Sequence, residues 1–243
     1  RDGKARWTFK TGAQIISSPN ISNNRLLFGS YDAFLYCLDP RSGNLIWKFE
    51  TRGRVHGTPG IAEGHVLVAG CDEHLHIITL ADGKEVGRVS MGSVSGASAA
   101  IQRNRVFVGT YGNQVRCVDW KKRRTVWTFE DPDRQFPFMA SAAVTENAII
   151  IGGRDKKIRA FAPDDGKVLW TFGAKGRVDS SATIVGDRVF VGASDGILYE
   201  LDLRTGRENW RYETGSAITA SPAIAKGRLV IGTLDNVLYC FGK

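Results

Sequence analysis

Tryptophan recurs along this 243-residue chain at a nearly constant step. Trp7, Trp47, Trp127, Trp170 and Trp210 are separated by 40, 80, 43 and 40 residues, and the step of 80 spans two periods, with Gly87 where the intervening Trp would fall. A unit of about 40 residues built from short apolar runs cannot bury its apolar face alone. It must stack on copies of itself, which specifies a β-propeller or a related solenoid.

The frame around each Trp is local and repeated. In Cys37-Leu38-Asp39-Pro40-Arg41-Ser42-Gly43-Asn44-Leu45-Ile46-Trp47, a small residue stands ten before the Trp, an Asp eight before and a Gly four before. Trp127 keeps Cys117 and Asp119 but has Arg123 in the Gly slot; Trp170 keeps Ala160 and Gly166; Trp210 keeps Asp202 and Gly206, with Glu200 in the small-residue slot. Trp7 lacks this lead-in, but joining the two ends places Cys240 ten residues and Gly3 four residues before it. The step from Trp210 across that seam is 243 − 210 + 7 = 40 residues. Six periods thus account for the chain. The expected fold is all-β: a closed six-bladed β-propeller with four antiparallel strands per blade, the N-terminal strand closing the last blade and so removing a free sheet edge.

Alternation and turn residues divide one unit into strands. Ile15 to Ile21 reads as innermost, Arg25 to Gly29 as second, Phe34 to Leu38 as third and Leu45 to Glu50 as outermost. Asn23-Asn24, Tyr31-Asp32 and Ser42-Gly43 mark the turns. Pro19, Pro59 and Pro222 are assigned to innermost strands, whose channel edge has no ladder bond for proline to lose. No segment has a helical period.

The composition is that of an ordinary globular chain, and no apolar run approaches the ~20 residues of a membrane span. The first residue is Arg1 and no leader is legible, so residues 1–243 are expected to form one monomeric domain processed or excised from a longer chain. Cys37, Cys117 and Cys240 share one repeat position, and equivalent positions in different blades lie beyond disulfide reach. Four free thiols are expected, which leans towards a reducing compartment. The net charge of +8 favours acidic partners. The basic residues are spread over many turns, however, and the dense run Lys121-Lys122-Arg123-Arg124 reads as a solvated turn, so no nucleic-acid partner is expected.

The frame Asp39-Pro40-Arg41-Ser42-Gly43-Asn44-Leu45-Ile46-Trp47, and again Asp202-Leu203-Arg204-Thr205-Gly206-Arg207-Glu208-Asn209-Trp210, resembles the repeat of quinoprotein-type (PQQ-like) β-propellers, a family related to the outer-membrane protein assembly lipoprotein. The resemblance covers the whole chain. It implies that each Trp packs between neighbouring blades, with a weaker third junction at Gly87. It also implies a bacterial cell envelope or periplasmic setting, the cysteines leaving the cytoplasm open. Many members have more blades than the six read here. The family's quinone-dependent dehydrogenases carry a vicinal disulfide, a Trp floor and a Ca²⁺ site. This chain has no adjacent Cys pair, its one Trp outside the docking slots is Trp120, and its Asp residues sit in turns. No enzyme activity and no cofactor are therefore expected.

Candidate binding residues are sought where the symmetry breaks, because structural roles repeat and sites do not. Asp32, Asp72, Asp155, Asp195 and Asp235 repeat in the turn after the second strand, and Ser18, Thr58, Ser98, Ser141, Ser181 and Ser221 repeat on the innermost strand. Both sets read as local caps of the backbone. The largest break is a three-residue insertion within Asp131 to Met139, which brings Arg134, Phe136 and Phe138 to a loop between blades. Those aromatics serve either as partner anchors or as a plug of the channel mouth. Equivalent loops carry Arg52, Arg54 and His56, and Arg177 and Asp179, while the counterparts of Arg54 and Arg177 are Gln14, Val94 and Ala217. A charge that most blades omit is not required by the fold. His74 and His76 share one strand face without a further ligand at metal-site spacing, so no metal is expected. The expected function is a non-enzymatic scaffold presenting loops to a protein or peptide partner. The alternatives are a sensor binding a small anion through Arg54, Arg134 and Arg177, and a remnant of a quinone-dependent dehydrogenase.

Overall fold

The computed structural model describes residues 3–132 and 135–242. They form six antiparallel sheets and no helix. In the first sheet Asn20–Ser22, Arg25–Gly29, Phe34–Leu38 and Leu45–Glu50 pair in sequence order. The second to fifth sheets repeat this order, beginning at Gly60–Ala62, Ala100–Gln102, Ala143–Val144 and Thr183–Val185. Second, third and outermost strands of the first sheet lie where the alternation puts them. The innermost is shorter than the expected Ile15 to Ile21, and Pro19, Pro59 and Pro222 stand immediately before innermost strands. Before that strand the backbone turns from ladder pairing to bonds with the neighbouring sheet. The Ser18 N–H donates to Thr58 Oγ1 at 3.2 Å, Thr58 to Ser98 Oγ at 3.0 Å, Ser98 to Ser141 Oγ at 2.9 Å, Ser141 to Ser181 Oγ at 2.9 Å and Ser181 to Ser221 Oγ at 3.1 Å. The repeated hydroxyl is a clamp that ties each sheet to the next.

The core lies between sheets. Leu27, Leu35, Val66 and Val68 join the first two sheets, for example, and Ile150, Ile158, Val189 and Val191 the fourth and fifth. The Trp frame explains how neighbours lock. Trp47 is paired with Cys37 beside a register shift, and its indole N–H donates to Leu80 O of the next sheet at 3.0 Å. Its ring lies on Gly83, where an added Cβ would be 2.6 Å from the indole. Gly83 also has φ +73°, so glycine is required there for both close approach and conformation. Trp7, Trp127 and Trp170 dock in the same way on Gly43, Gly166 and Gly206.

The third junction is filled, contrary to the weakness expected at Gly87. A Cβ on Gly87 would lie 2.6 Å from Arg123 Nε. Arg123 takes the turn slot that holds glycine elsewhere, at φ +54°. Trp120 is buried in the cluster against which Val86 packs, its indole N–H donating to Arg103 O at 3.3 Å. A large residue facing a small one has exchanged sides. Gly87→Trp alone is expected to overpack the junction and cost about 1–3 kcal/mol. Adding Arg123→Gly should recover most of that loss, with a coupling of about 0.5–3 kcal/mol in urea unfolding. Strict additivity would show that the two positions are independent.

The seam differs from expectation. The last sheet holds three strands, Ala223–Ala225, Arg228–Gly232 and Leu238–Gly242, and residues 3–19 join no sheet. Trp7 docks on the first sheet, donating to Pro40 O at 3.1 Å, and Phe9 packs on Phe28 and Tyr36. Ile15, Ile16 and Ile21 of the first unit are exposed, as are Leu234, Val237 and Leu238 of the last. Among the described residues the Ser221 N–H makes no bond to Ser18. The N-terminal segment therefore does not supply the fourth strand of the last sheet. Its docking on the first sheet is complete without that pairing.

Candidate interaction face

One end of the six sheets is organised by a repeated backbone bond. The N–H groups of Tyr31, Cys71, Tyr111, Arg154, Ser194 and Leu234 donate to the carbonyls of Gln14, Arg54, Val94, Pro137, Arg177 and Ala217, at 2.9, 3.1, 3.0, 3.1, 2.9 and 3.0 Å. Each turn after a second strand is thereby pinned to the loop entering its own unit. The loops with candidate residues and the Asp turns share one face, as the periodicity predicts.

The Asp turns are self-contained. Asp32 accepts from the Phe34 N–H at 3.2 Å and from Tyr36 Oη at 2.7 Å. Burial and the adjacent Asp32 push the Tyr36 hydroxyl up to about 12. Asp195 and Tyr199 repeat the pair, with 2.8 Å between hydroxyl and carboxylate. In the second sheet His76 stands in the tyrosine's place, held by Asp72 and Glu85 at 2.7 Å each. Burial opposes its charge, but the two carboxylates outweigh burial and raise its pKa. The fourth sheet uses Arg159, fully enclosed, between Asp131 at 2.6 Å and Asp155. No cluster of metal-ligating side chains occurs among the described residues.

The candidate residues divide. Phe136 is exposed, at 47%. Phe138 is not a surface anchor: it is 2% exposed, packs edge-on against Phe129 and closes on Gly109 as Val55 and Val178 close on Gly29 and Gly152. The insertion has carried an aromatic into a slot that every complete junction fills with an apolar side chain or Ser95. This corrects the assignment of Phe138 to a binding surface; it plugs the space between sheets. Arg134 lies outside the described residues. Arg52 and Arg54 are exposed, and the Arg54 guanidinium lies 5.2 Å from the centre of the Tyr31 ring. Arg177 reaches Asp179 at 3.3 Å, but the stronger partner of Asp179 is Arg154, through two bonds of 2.8 and 3.1 Å. That pairing raises the Arg154 pKa.

His56 is half-buried and bonded through Nδ1 to Tyr31 Oη at 2.6 Å. Burial lowers its pKa, so the imidazole is neutral at pH 7. Tyr111 borders the same region, its hydroxyl pKa raised by burial and then by Cys71 and Tyr31. Sequence reasoning overlooked Tyr31, Tyr111 and Arg154. The signal lay in one repeat slot that reads Tyr, Cys, Tyr, Arg, Ser and Leu in successive units, an irregular identity in a regular frame.

Five four-stranded sheets and one of three strands, stacked in chain order with Trp7, Trp47, Trp127 and Trp170 each lying on a neighbouring glycine turn, define a PQQ-like repeat β-propeller. A family model described as outer membrane protein assembly factor BamB matches residues 1–86 and 72–242, and the chain belongs to this family. No curated protein matches it in sequence. It is similar to the crystal structure of BamB from Moraxella catarrhalis, with 20% identity and a TM-score of 0.80 over 93% of this chain and 72% of that one. The computationally designed Ika8 protein is similar at 17% identity and TM-score 0.83, over 94% and 71% of the two chains. A europium-containing methanol dehydrogenase is similar at 15% identity and TM-score 0.76, over 88% of this chain and 54% of that one. At these identities the likeness concerns the fold.

Proposed function

We propose that this chain is a non-enzymatic interaction domain of the cell envelope that holds a protein partner on the face carrying Arg54, His56, Phe136, Arg177 and Asp179. The observation that supports this reading most is the combination of a fixed backbone with irregular side chains. The six pinned turns cost little ordering on binding, and the residues that vary there are Tyr and Arg, the types that dominate interface energetics. The family's role as an outer membrane protein assembly factor points to an assembly component as the partner. The small-anion alternative is weaker, because Asp179 competes for Arg177, one of the three arginines that reading needs.

Site-specific photo-crosslinking in the native cell tests the proposal. A benzophenone side chain at Arg54 or Phe136 is expected to give one discrete protein adduct. The same probe at Arg41 or Arg204, exposed in turns at the opposite end of the sheets, is expected to give none. Adducts confined to Arg41 and Arg204 would move the working face to the other end.

A further inference from the structure

We propose that His56 and Tyr111 form a carboxylate-recognition notch floored by Gly96, and that it takes an Asp or Glu side chain from an acidic segment of the partner. This rests on the interaction-face reading above and adds the chemistry of what binds there.

The geometry converges on one point. The position a Cβ on Gly96 would take lies 3.3 Å from Tyr111 Oη and 3.6 Å from His56 Cδ2. Nε2 is covalently bonded to that Cδ2, so the free imidazole nitrogen and the phenol border the same small space. Only the absence of a side chain at Gly96 keeps it open. The equivalent loop position in the fifth unit is Asp179, which fills its own junction by binding Arg154.

The hydrogen-bond inventory sets the class of ligand. The Tyr31 hydroxyl is the more acidic partner in its contact with His56, so it donates and Nδ1 accepts. In a neutral ring the bond made by one nitrogen assigns the other, which places the proton on Nε2. Neither His56 Nε2 nor Tyr111 Oη has a hydrogen-bond partner among the described residues. The notch therefore presents two donors. The Arg54 guanidinium lies over Tyr31 and Arg154 acts on Tyr111, while Asp179 is shared between Arg154 and Arg177. Two neutral donors bordered by these guanidinium groups fit a planar anionic acceptor.

The test uses the whole chain and three probes: acetyl-hexaglutamate-amide, acetyl-hexaglutamine-amide and sodium acetate. Binding is followed by the imidazole nitrogen resonances of His56. Hexaglutamate is expected to shift Nε2 to saturation and hexaglutamine to leave it unmoved. Tyr111→Phe and His56→Ala should each weaken hexaglutamate about tenfold, the effect of losing one bond to a charged group. Gly96→Val should fill the notch and abolish the shift, with melting temperature confirming that each variant is folded. Saturable binding with the His56 signals unmoved, or undiminished in Tyr111→Phe, would overturn the notch and leave the interaction face standing as a charge effect. Acetate saturating the notch while hexaglutamate does not would overturn the acidic-segment assignment, whereas the protein-partner reading stands or falls by the cross-linking result. No response to any probe would overturn the notch outright.

Discussion

Trp170→Ala is expected to destabilise the domain by about 3–5 kcal/mol, while Trp210→Ala should cost about 1 kcal/mol. The two residues occupy the same repeat slot and differ in whether a neighbouring turn receives the ring. Trp170 is 8% exposed, donates to Leu203 O at 2.9 Å and lies on Gly206, where a Cβ would be 2.4 Å from its ring. Removing it opens a cavity that two sheets cannot close, because the Gly206 turn has no side chain to move in. Trp210 is 38% exposed and keeps an edge contact with Phe241 at 5.7 Å and a stacked one with Tyr212 at 6.2 Å. Urea unfolding at constant slope measures both. An equal loss at the two positions would mean that Trp210 also docks on a turn in solution, and that the seam closes.

The second large effect concerns the buried ions of the fourth sheet. Asp155→Ala and Arg159→Met are each expected to cost about 3–5 kcal/mol, because each removes one side of a buried ion pair and leaves the opposite charge enclosed. The double variant should cost clearly less than their sum, since it removes both members at once. Arg159 is 2% exposed, bonded to Asp131 and Asp155 and stacked over Phe129 and Phe138 at 5.4 and 5.7 Å. Tyr36→Phe, in the equivalent slot of the first sheet, breaks one hydroxyl–carboxylate bond and should cost only about 1 kcal/mol. Simple additivity of the ion-pair variants would show that Asp155 and Arg159 are not energetically coupled.

Much of the fold was legible in the residue order because its determinants are local and repeated. The spacing from Asp39 through Gly43 to Trp47 describes one turn and one strand, and a pattern recurring about every 40 residues forces such units to stack. The same logic marked Arg54 and Arg177 as charges that other units omit. What spacing does not carry is the outcome of contacts between units. Phe136 and Phe138 are two residues apart and chemically alike. Only the slot facing Gly109 decided that the second is core and the first is surface. Tyr31 and His56 are 25 residues apart and meet because the first two sheets stack with their turns in register. Gly87 and Arg123 each looked like an isolated defect until the third junction brought them together. The seam shows the limit most plainly. Its residues match the repeat frame on both sides, yet whether the ends meet depends on the angle between successive sheets, summed over five junctions. That angle is set by side-chain packing between sheets, which no local spacing records.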